Sequence, residues 1–117
     1  VSLHLLLTTQ TKNILSSDNL NLLKRGCFLV NTACGGMIDE DHLAQMLASR
    51  HVQSAAFDVF EKEPPLESKL LKLENFYSTA HIGGSSIQSI HLMGLAAIEG
   101  LENGKVAEPT NFFDYPL

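Results

Sequence analysis

The sequence is poor in basic residues. Eight lysines and arginines stand against thirteen aspartates and glutamates, which gives a formal net charge of −5 and a pI near 5.4. The eight basic residues are scattered along the chain. Because nucleic acids and anionic membranes are bound by clusters of Lys and Arg, this composition argues against both as partners.

Cysteine and long apolar runs are scarce as well. Two cysteines, Cys27 and Cys34, provide no disulfide framework, so the sequence predicts a reducing, cytoplasmic setting. It shows no signal peptide and no apolar run long enough to span a bilayer. The chain begins at Val1 and opens directly on a predicted strand. We therefore expect a fragment, a processed product or the product of an interrupted gene.

The residues that are present predict one domain of alternating strands and helices. Hydrophobic residues make up 44% and charged residues 18%, as in ordinary globular proteins. Capping residues mark the helix starts: Ser17 or Asp18, then Asp39, then Ser85 or Ser86. The apolar runs predict strands over residues 2–8, 27–33, 54–60 and 76–80, and helices over 19–24, 40–49 and from the Ser85 or Ser86 cap to about residue 103. Because the strands are apolar throughout, the pattern predicts a parallel α/β sheet with right-handed crossovers.

Two acids and one histidine stand at or just after the predicted strand ends: Asp58, Glu63 and His81. In an open parallel sheet, ligands bind outside the carboxyl ends of the strands. A histidine paired with a carboxylate is also the usual means of moving a proton near neutral pH. The sequence therefore predicts an acid–base site at this edge, with Glu63 and His81 close enough to touch.

Four blocks of sequence resemble a known family. In chain order they are LHLLLTTQT, LLKRGCFLVNTACGGMIDEDHL, AAFDVFEKEPP and TAHIGG. Together they resemble the nucleotide-binding domain of the D-isomer-specific 2-hydroxyacid dehydrogenases, from Val1 to about Gly104. The glycine-rich dinucleotide fingerprint, the acidic residue that follows it and the substrate-side domain have no counterpart in the sequence. The resemblance implies half of a doubly wound, Rossmann-like parallel sheet over residues 1–104, followed by an extended tail over 105–117.

The resemblance also implies an NAD or NADP cofactor and a small 2-hydroxy or 2-oxo acid substrate. It implies that His81 protonates the substrate carbonyl, or takes the hydroxyl proton in the reverse direction. It implies that Glu63 holds the imidazole and raises its pKa. Asp58 would sit against the nicotinamide end. The other positions that it places along the cofactor are Leu5, Leu6, Thr11, Thr32, Ala33, Cys34, His81, Gly83 and Gly84.

Two residues depart from the family pattern. Cys34 stands where the family has an arginine that clamps the substrate carboxylate by a forked, charged hydrogen bond. Leu6 stands where proline is usual. Cys34 is therefore a candidate site residue with three interpretations: a substitution that has abolished function, which is favoured; a reactive thiol; or a metal ligand with Cys27 and His42, whose spacing fits no known zinc pattern.

Two functional hypotheses follow. The first is a fragment of an NAD(P)-dependent oxidoreductase acting on the CH–OH group of 2-hydroxy acids, inactive by itself. The second is a non-catalytic relic module that serves self-association or partner binding. In a doubly wound sheet the first strand would lie beside a strand that this sequence lacks, and its edge would be exposed. We therefore expect a two-fold homodimer through residues Ser2 to Leu7.

Overall fold

The computed structural model describes residues 1–104, which fall into two compact units. The first unit is Val1–His81, and the second begins at Ile82. The tail predicted for residues 105–117 lies outside the described residues. None of the helices within residues 1–104 is long and apolar enough to cross a membrane.

The first unit is built around a parallel sheet. Within the described residues the sheet has four strands in the order β1 (Ser2–Leu3), β2 (Cys27–Asn31), β3 (Val52–Phe57) and β4 (Phe76–Ser78). Every neighbouring pair is parallel, with Leu3 opposite Asn31 and Phe57 opposite both Asn31 and Ser78. Helix α1 (Ser17–Asn21) connects β1 to β2, and α2 (Glu40–Ala48) connects β2 to β3. A 3₁₀ turn, Leu70–Lys72, precedes β4. The predicted parallel α/β architecture is confirmed.

The core of this unit joins α2 to the sheet. Leu43 and Leu47 of α2 are fully buried with Leu29 of β2 and Val52 of β3. A cluster of three aromatic rings, Phe57, Phe60 and Phe76, extends the core to the carboxyl end of β3. This end of the core supports the residues that follow β3 and β4.

Two strands end earlier than predicted. The first strand stops at Leu3 instead of residue 8, and the second stops at Asn31 instead of residue 33. Asn31 uses its side chain to close a turn over the next residues, since its Nδ2 donates to the Cys34 carbonyl at 2.9 Å. The chain beyond Leu3 consequently has no regular strand beside it. Strand β3 is shifted toward the N-terminus, over 52–57 instead of 54–60, and β4 stops at Ser78.

The helix caps follow the sequence closely. The Asp39 carboxylate accepts the His42 N–H at 2.9 Å and begins α2, as predicted. The cap of α1 is Ser16, one residue before the predicted caps, so this helix covers 17–21 instead of 19–24. In the second unit, helix α3 (Ile87–Asn103) is capped by Ser86 and ends at Gly104.

Candidate functional site

Polar side chains follow the carboxyl ends of the strands in the first unit. Thr32 comes just after β2, Asp58 directly after β3, and His81 shortly after β4. Residues 5 and 6 follow the end of β1 in the same direction. Because all four strands are parallel, these positions lie along one edge of the sheet, where ligands of such folds bind. We call this edge the carboxyl rim.

His81 and Glu63 form an ion pair at the carboxyl rim. The distance from His81 Nδ1 to Glu63 Oε2 is 2.8 Å. The other carboxylate oxygen, Oε1, accepts the Phe60 backbone N–H at 2.9 Å. The imidazole is 62% exposed, so it is accessible from solvent. The structure thus brings together the two residues that the sequence suggested as partners, and it leaves Nε2 as the nitrogen that points away from the pair.

The backbone of His81 is held in an unusual conformation. Its φ angle is 53°, in the left-handed region that residues with a side chain seldom occupy. Such a residue costs about 1–3 kcal/mol and persists only where surrounding contacts determine it. The contact with Glu63 is one of those that fix the imidazole. A left-handed backbone at this position cannot be foreseen from local sequence, because histidine is not a residue type that demands it.

The ion pair shifts the pKa values of both Glu63 and His81. The hydrogen bond from His81 is the largest cause that lowers the pKa of Glu63, and the Phe60 N–H lowers it further. The hydrogen bond to Glu63 is likewise the largest cause that raises the pKa of His81, followed by the negative charge of Glu63 and, more weakly, that of Asp58. Each group therefore favours the charged form of the other.

These shifts set the pH range in which the pair contributes to stability. The histidine part is fully present below the ordinary imidazole pKa and is lost as pH rises through the raised value. The glutamate part is present above the ordinary carboxyl pKa and is lost as pH falls through the lowered value. Both parts are therefore fully present between the ordinary carboxyl pKa and the ordinary imidazole pKa.

Asp58 is buried at the end of β3, with 5% of its surface exposed. Its Oδ1 accepts a hydrogen bond from the Thr79 hydroxyl, and its backbone N–H donates to the Asn31 carbonyl at 2.9 Å. Asp58 therefore links β2, β3 and the residues after β4. Thr79 was not identified in the sequence, although its position two residues before His81 offered a signal.

The turn after β2 carries Thr32, Ala33 and Cys34. Asn31, which is 2% exposed, holds this turn with both ends of its amide: Oδ1 accepts the Ala33 N–H at 3.1 Å, and Nδ2 donates to the Cys34 carbonyl. Thr32 is exposed, whereas Ala33 and Cys34 are half-buried. Asn31 was not predicted from the sequence to take part in the site. An asparagine that ends a strand just before a glycine-rich turn is the signal that could have identified it.

The segment after β1 presents exposed leucines. Leu5 is 46% and Leu6 is 64% exposed. Thr11 does not extend outward from this segment but ties it together, because its hydroxyl donates to the Leu6 carbonyl at 2.6 Å and accepts the Thr8 N–H at 2.7 Å. The arrangement gives the rim an apolar surface at the β1 end.

Two predicted positions, Gly83 and Gly84, belong to the second unit. They lie in the segment that leads to the Ser86 cap of α3, and a Cβ at Gly84 would meet nothing within 4 Å. Gly84 thus leaves its own surroundings open, as close approach of a ligand to backbone requires.

The structure gives no metal site formed by Cys27, Cys34 and His42. Both thiols are free, and His42 Nε2 lies 3.2 Å from the Asn21 side-chain oxygen. Among residues 1–104, no group of three or more His, Cys, Asp or Glu side chains is arranged to hold a metal ion.

A parallel sheet with helical connections and polar side chains at its carboxyl rim fits a Rossmann-like nucleotide-binding domain. Comparison with known proteins makes the assignment specific. Residues 1–83 match the family described as D-isomer specific 2-hydroxyacid dehydrogenase, NAD binding domain, and the chain belongs to this family.

Individual proteins similar in sequence to this chain support the family assignment. The hydroxypyruvate reductase of Thermotoga maritima is 40% identical over 102 residues, which are 85% of this chain and 33% of that protein. The D-3-phosphoglycerate dehydrogenase of Escherichia coli K12 is 36% identical over 126 aligned positions, covering 100% of this chain and 31% of that protein. The chain therefore spans about a third of the length of these two relatives.

Solved structures show the same fold. A D-isomer specific 2-hydroxyacid dehydrogenase from Xanthobacter autotrophicus Py2, in complex with NADPH and MES, has a TM-score of 0.74 and 32% identity. The match covers 91% of this chain and 45% of that one. The Rossmann-like fold predicted from the sequence is confirmed.

Proposed function

We propose that this chain forms the second half of the cofactor domain of an NAD(P)-dependent oxidoreductase that acts on the CH–OH group of a 2-hydroxy acid. The observation that carries the proposal is the His81–Glu63 pair at the carboxyl rim, with 2.8 Å between His81 Nδ1 and Glu63 Oε2. Nicotinamide, when bound, supplies or accepts the hydride at C2 of the acid. The residues of this chain donate or accept the proton.

In the direction of reduction, His81 gives the proton at Nε2 to the carbonyl oxygen of the 2-oxo acid. Glu63 stabilises the imidazolium before the transfer, and its contact with Nδ1 orients Nε2 toward the substrate. In the direction of oxidation, neutral His81 takes the proton of the hydroxyl group at the same atom. A raised His81 pKa increases the fraction of the protonated, donor form at any given pH.

The rim residues have the chemistry that a dinucleotide needs. Leu5 and Leu6 offer exposed apolar surface to a flat ring, and Thr32 offers a hydroxyl group. Asp58, held by Thr79, offers a fixed carboxylate for the nicotinamide end. The description of the family as an NAD-binding domain supports this placement. The family resemblance suggests that Cys34 occupies the position of a substrate-binding arginine.

We expect the 117-residue chain to bind NADH and NADPH weakly or undetectably and to show no turnover. A dinucleotide pyrophosphate is normally received by a glycine-rich turn at a helix N-terminus, and these 117 residues contain no such fingerprint. Isothermal titration calorimetry with both cofactors measures this directly. The Xanthobacter dehydrogenase, which is known in complex with NADPH, is the positive control for NADPH. Micromolar binding by this chain would contradict the expectation.

The second candidate function is a non-catalytic module that associates with itself. It is favoured by the position of β1 at the edge of the sheet, followed by the exposed side chains of Leu5, Leu6 and Leu7. An unpaired strand edge beside apolar side chains is a surface that proteins usually cover. We propose that two copies meet through residues Ser2 to Leu7 about a two-fold axis.

We expect light scattering to give the mass of a dimer, and the double variant Leu5→Glu/Leu7→Glu to give that of a monomer. The two carboxylates would have to be buried without partners in the dimer, which is strongly unfavourable. Leu22→Glu is the matched control, because Leu22 is 82% exposed and lies outside the β1 edge. A stable wild-type monomer at high protein concentration would exclude this dimer.

A further inference from the structure

The Phe60–Glu61 peptide connects the core to the loop that carries Glu63. Phe60 is 6% exposed, and its ring lies 6.1 Å from that of Phe57 and 6.0 Å from that of Phe76. These contacts anchor the side chain. They leave open how the backbone that follows is oriented, because rotation about backbone bonds can redirect a peptide while its side chain stays buried.

Gly35, in the turn after β2, packs directly against this peptide. A Cβ at Gly35 would lie 1.9 Å from the Phe60 carbonyl oxygen, 2.3 Å from the Phe60 carbonyl carbon and 2.7 Å from the Glu61 nitrogen. Side-chain carbons in proteins do not approach heavy atoms to less than 3.0 Å. Since the atoms in the way are backbone, any larger residue at position 35 must displace the Phe60–Glu61 peptide or the turn itself.

Glu40 holds the same peptide by a second contact. Its Oε1 accepts the Glu61 backbone N–H at 2.8 Å. Glu40 begins α2, directly after the Asp39 cap, and is half-buried. Partial burial raises its pKa, and the hydrogen bond from the Glu61 N–H opposes that rise. The contact therefore ties the start of α2 to the Phe60–Glu61 peptide.

The two carboxylate oxygens of Glu63 connect the Phe60 backbone to His81. Oε1 accepts the Phe60 N–H at 2.9 Å, and Oε2 lies 2.8 Å from His81 Nδ1. One oxygen is thus fixed by the Phe60 backbone, and this leaves the other aimed at the imidazole. The Phe60 N–H lies across the Phe60 Cα from the Phe60–Glu61 peptide, so a displacement of that peptide that shifts the Phe60 backbone would disturb the hydrogen bond to Oε1.

We propose that Gly35 and Glu40 are positioning residues for the His81–Glu63 pair: together they fix the Phe60–Glu61 peptide and with it the backbone of Phe60, whose own N–H holds the Glu63 carboxylate against the imidazole. We call the contacts of Gly35 and Glu40 with this peptide the clamp. Its relevance to catalysis rests on the proposed function. The clamp itself can be tested without a substrate or a cofactor.

The test is the pKa of His81 in the 117-residue chain, followed by NMR through the imidazole carbon-bound protons and assigned with His81→Gln. Glu63→Gln defines the full effect, because it removes both the charge and the strong acceptor beside Nδ1; we expect the His81 pKa to fall. We expect Gly35→Ala to lower the His81 pKa by at least half of that decrease. The negative charges that raise this pKa are those of Glu63 and Asp58, and both remain in Gly35→Ala.

Gly26→Ala is the matched control for a general loss of stability. Gly26 has a φ of 79°, so alanine is strained there, but a Cβ would meet nothing within 4 Å. We expect this variant to be destabilised with an unchanged His81 pKa. A folded Gly35→Ala protein with the wild-type His81 pKa, or a decrease of equal size in Gly26→Ala, would overturn the proposal.

Two variants of Glu40 test the same proposal if Gly35→Ala does not fold. Glu40→Ala removes the acceptor of the Glu61 N–H and should lower the His81 pKa. Glu40→Gln keeps a carbonyl oxygen as acceptor and should restore it, because the charge of Glu40 is not among those that raise the His81 pKa. A wild-type pKa in folded Glu40→Ala would overturn the proposal. These outcomes stand even if the chain binds no dinucleotide, so failure of the clamp and failure of the proposed function are distinguishable.

Discussion

Replacing Phe57 with alanine is expected to lower the free energy of unfolding of the first unit by about 3–5 kcal/mol, the usual cost of removing a buried phenylalanine ring. Phe57 is 2% exposed, and its ring packs edge-on against Phe76 with the centroids 5.2 Å apart. The same ring supports Phe60, so the change leaves a cavity beneath the carboxyl rim. Because a domain is stable by only about 5–15 kcal/mol in total, a large part of its stability should be lost.

Urea unfolding followed by circular dichroism measures this loss. Phe28→Ala is the matched control: Phe28 is also a sheet phenylalanine, in β2, but it is 62% exposed. We expect the control to change stability by no more than about 0.5 kcal/mol, as exposed substitutions usually do. Similar losses for the two variants would show that the aromatic cluster is not the support of the rim.

The architecture could be predicted because it depends on patterns that are local in sequence. Runs that are apolar throughout belong to strands covered on both faces, and strands that alternate with helices form a parallel sheet. The Asp39 cap could also be predicted, because an aspartate before an amphipathic segment accepts a hydrogen bond from a free backbone N–H at the start of the helix. These features need no knowledge of distant contacts.

Strand boundaries were less predictable, because specific side-chain hydrogen bonds set them. Apolar character continues past Leu3 through Leu7, yet the Thr11 hydroxyl bonds the Leu6 carbonyl and turns the segment away from regular pairing. In the same way Asn31 ends β2 by closing the turn to Cys34. A polar residue that competes for backbone groups can thus overrule the hydrophobic pattern.

The candidate site was predictable only in part. The position of Glu63 and His81 after neighbouring strands indicated that they could meet, and they do so at 2.8 Å. The contacts that hold the Glu63 loop in place could not be predicted from the sequence. Gly35 looks like any glycine of a turn, and Glu40 looks like an acid that favours a helix start. Their contacts with the Phe60–Glu61 peptide exist only because the sheet brings the turn after β2 beside the segment after β3.

Cys34→Arg is expected to raise 2-oxo acid reduction tens- to thousands-fold in a complete enzyme. The family resemblance implies an arginine here that binds the substrate carboxylate, and a thiol offers neither its charge nor its forked donors. Loss of one such charged contact is worth about 2–5 kcal/mol of transition-state binding, which gives this range of rates. The exchange leaves the hydrogen bond from Asn31 to the carbonyl of residue 34 in place, while the half-buried side chain that packs against the core is replaced by a longer one.

A chimera provides the measurement. The aligned 102-residue stretch of the Thermotoga maritima hydroxypyruvate reductase is replaced by that of this chain, and kcat/KM for hydroxypyruvate is compared with and without Cys34→Arg. Cys34→Met is the control for side-chain size, and Cys34→Lys adds charge without the fork, so we expect no gain from the first and a smaller gain from the second. If Cys34→Arg gives no gain in a chimera that folds and binds cofactor, the thiol is not what limits the chemistry. The non-catalytic module would then be the better account of this chain, with the His81–Glu63 pair acting as a structural contact between the residues after β4 and the loop after β3.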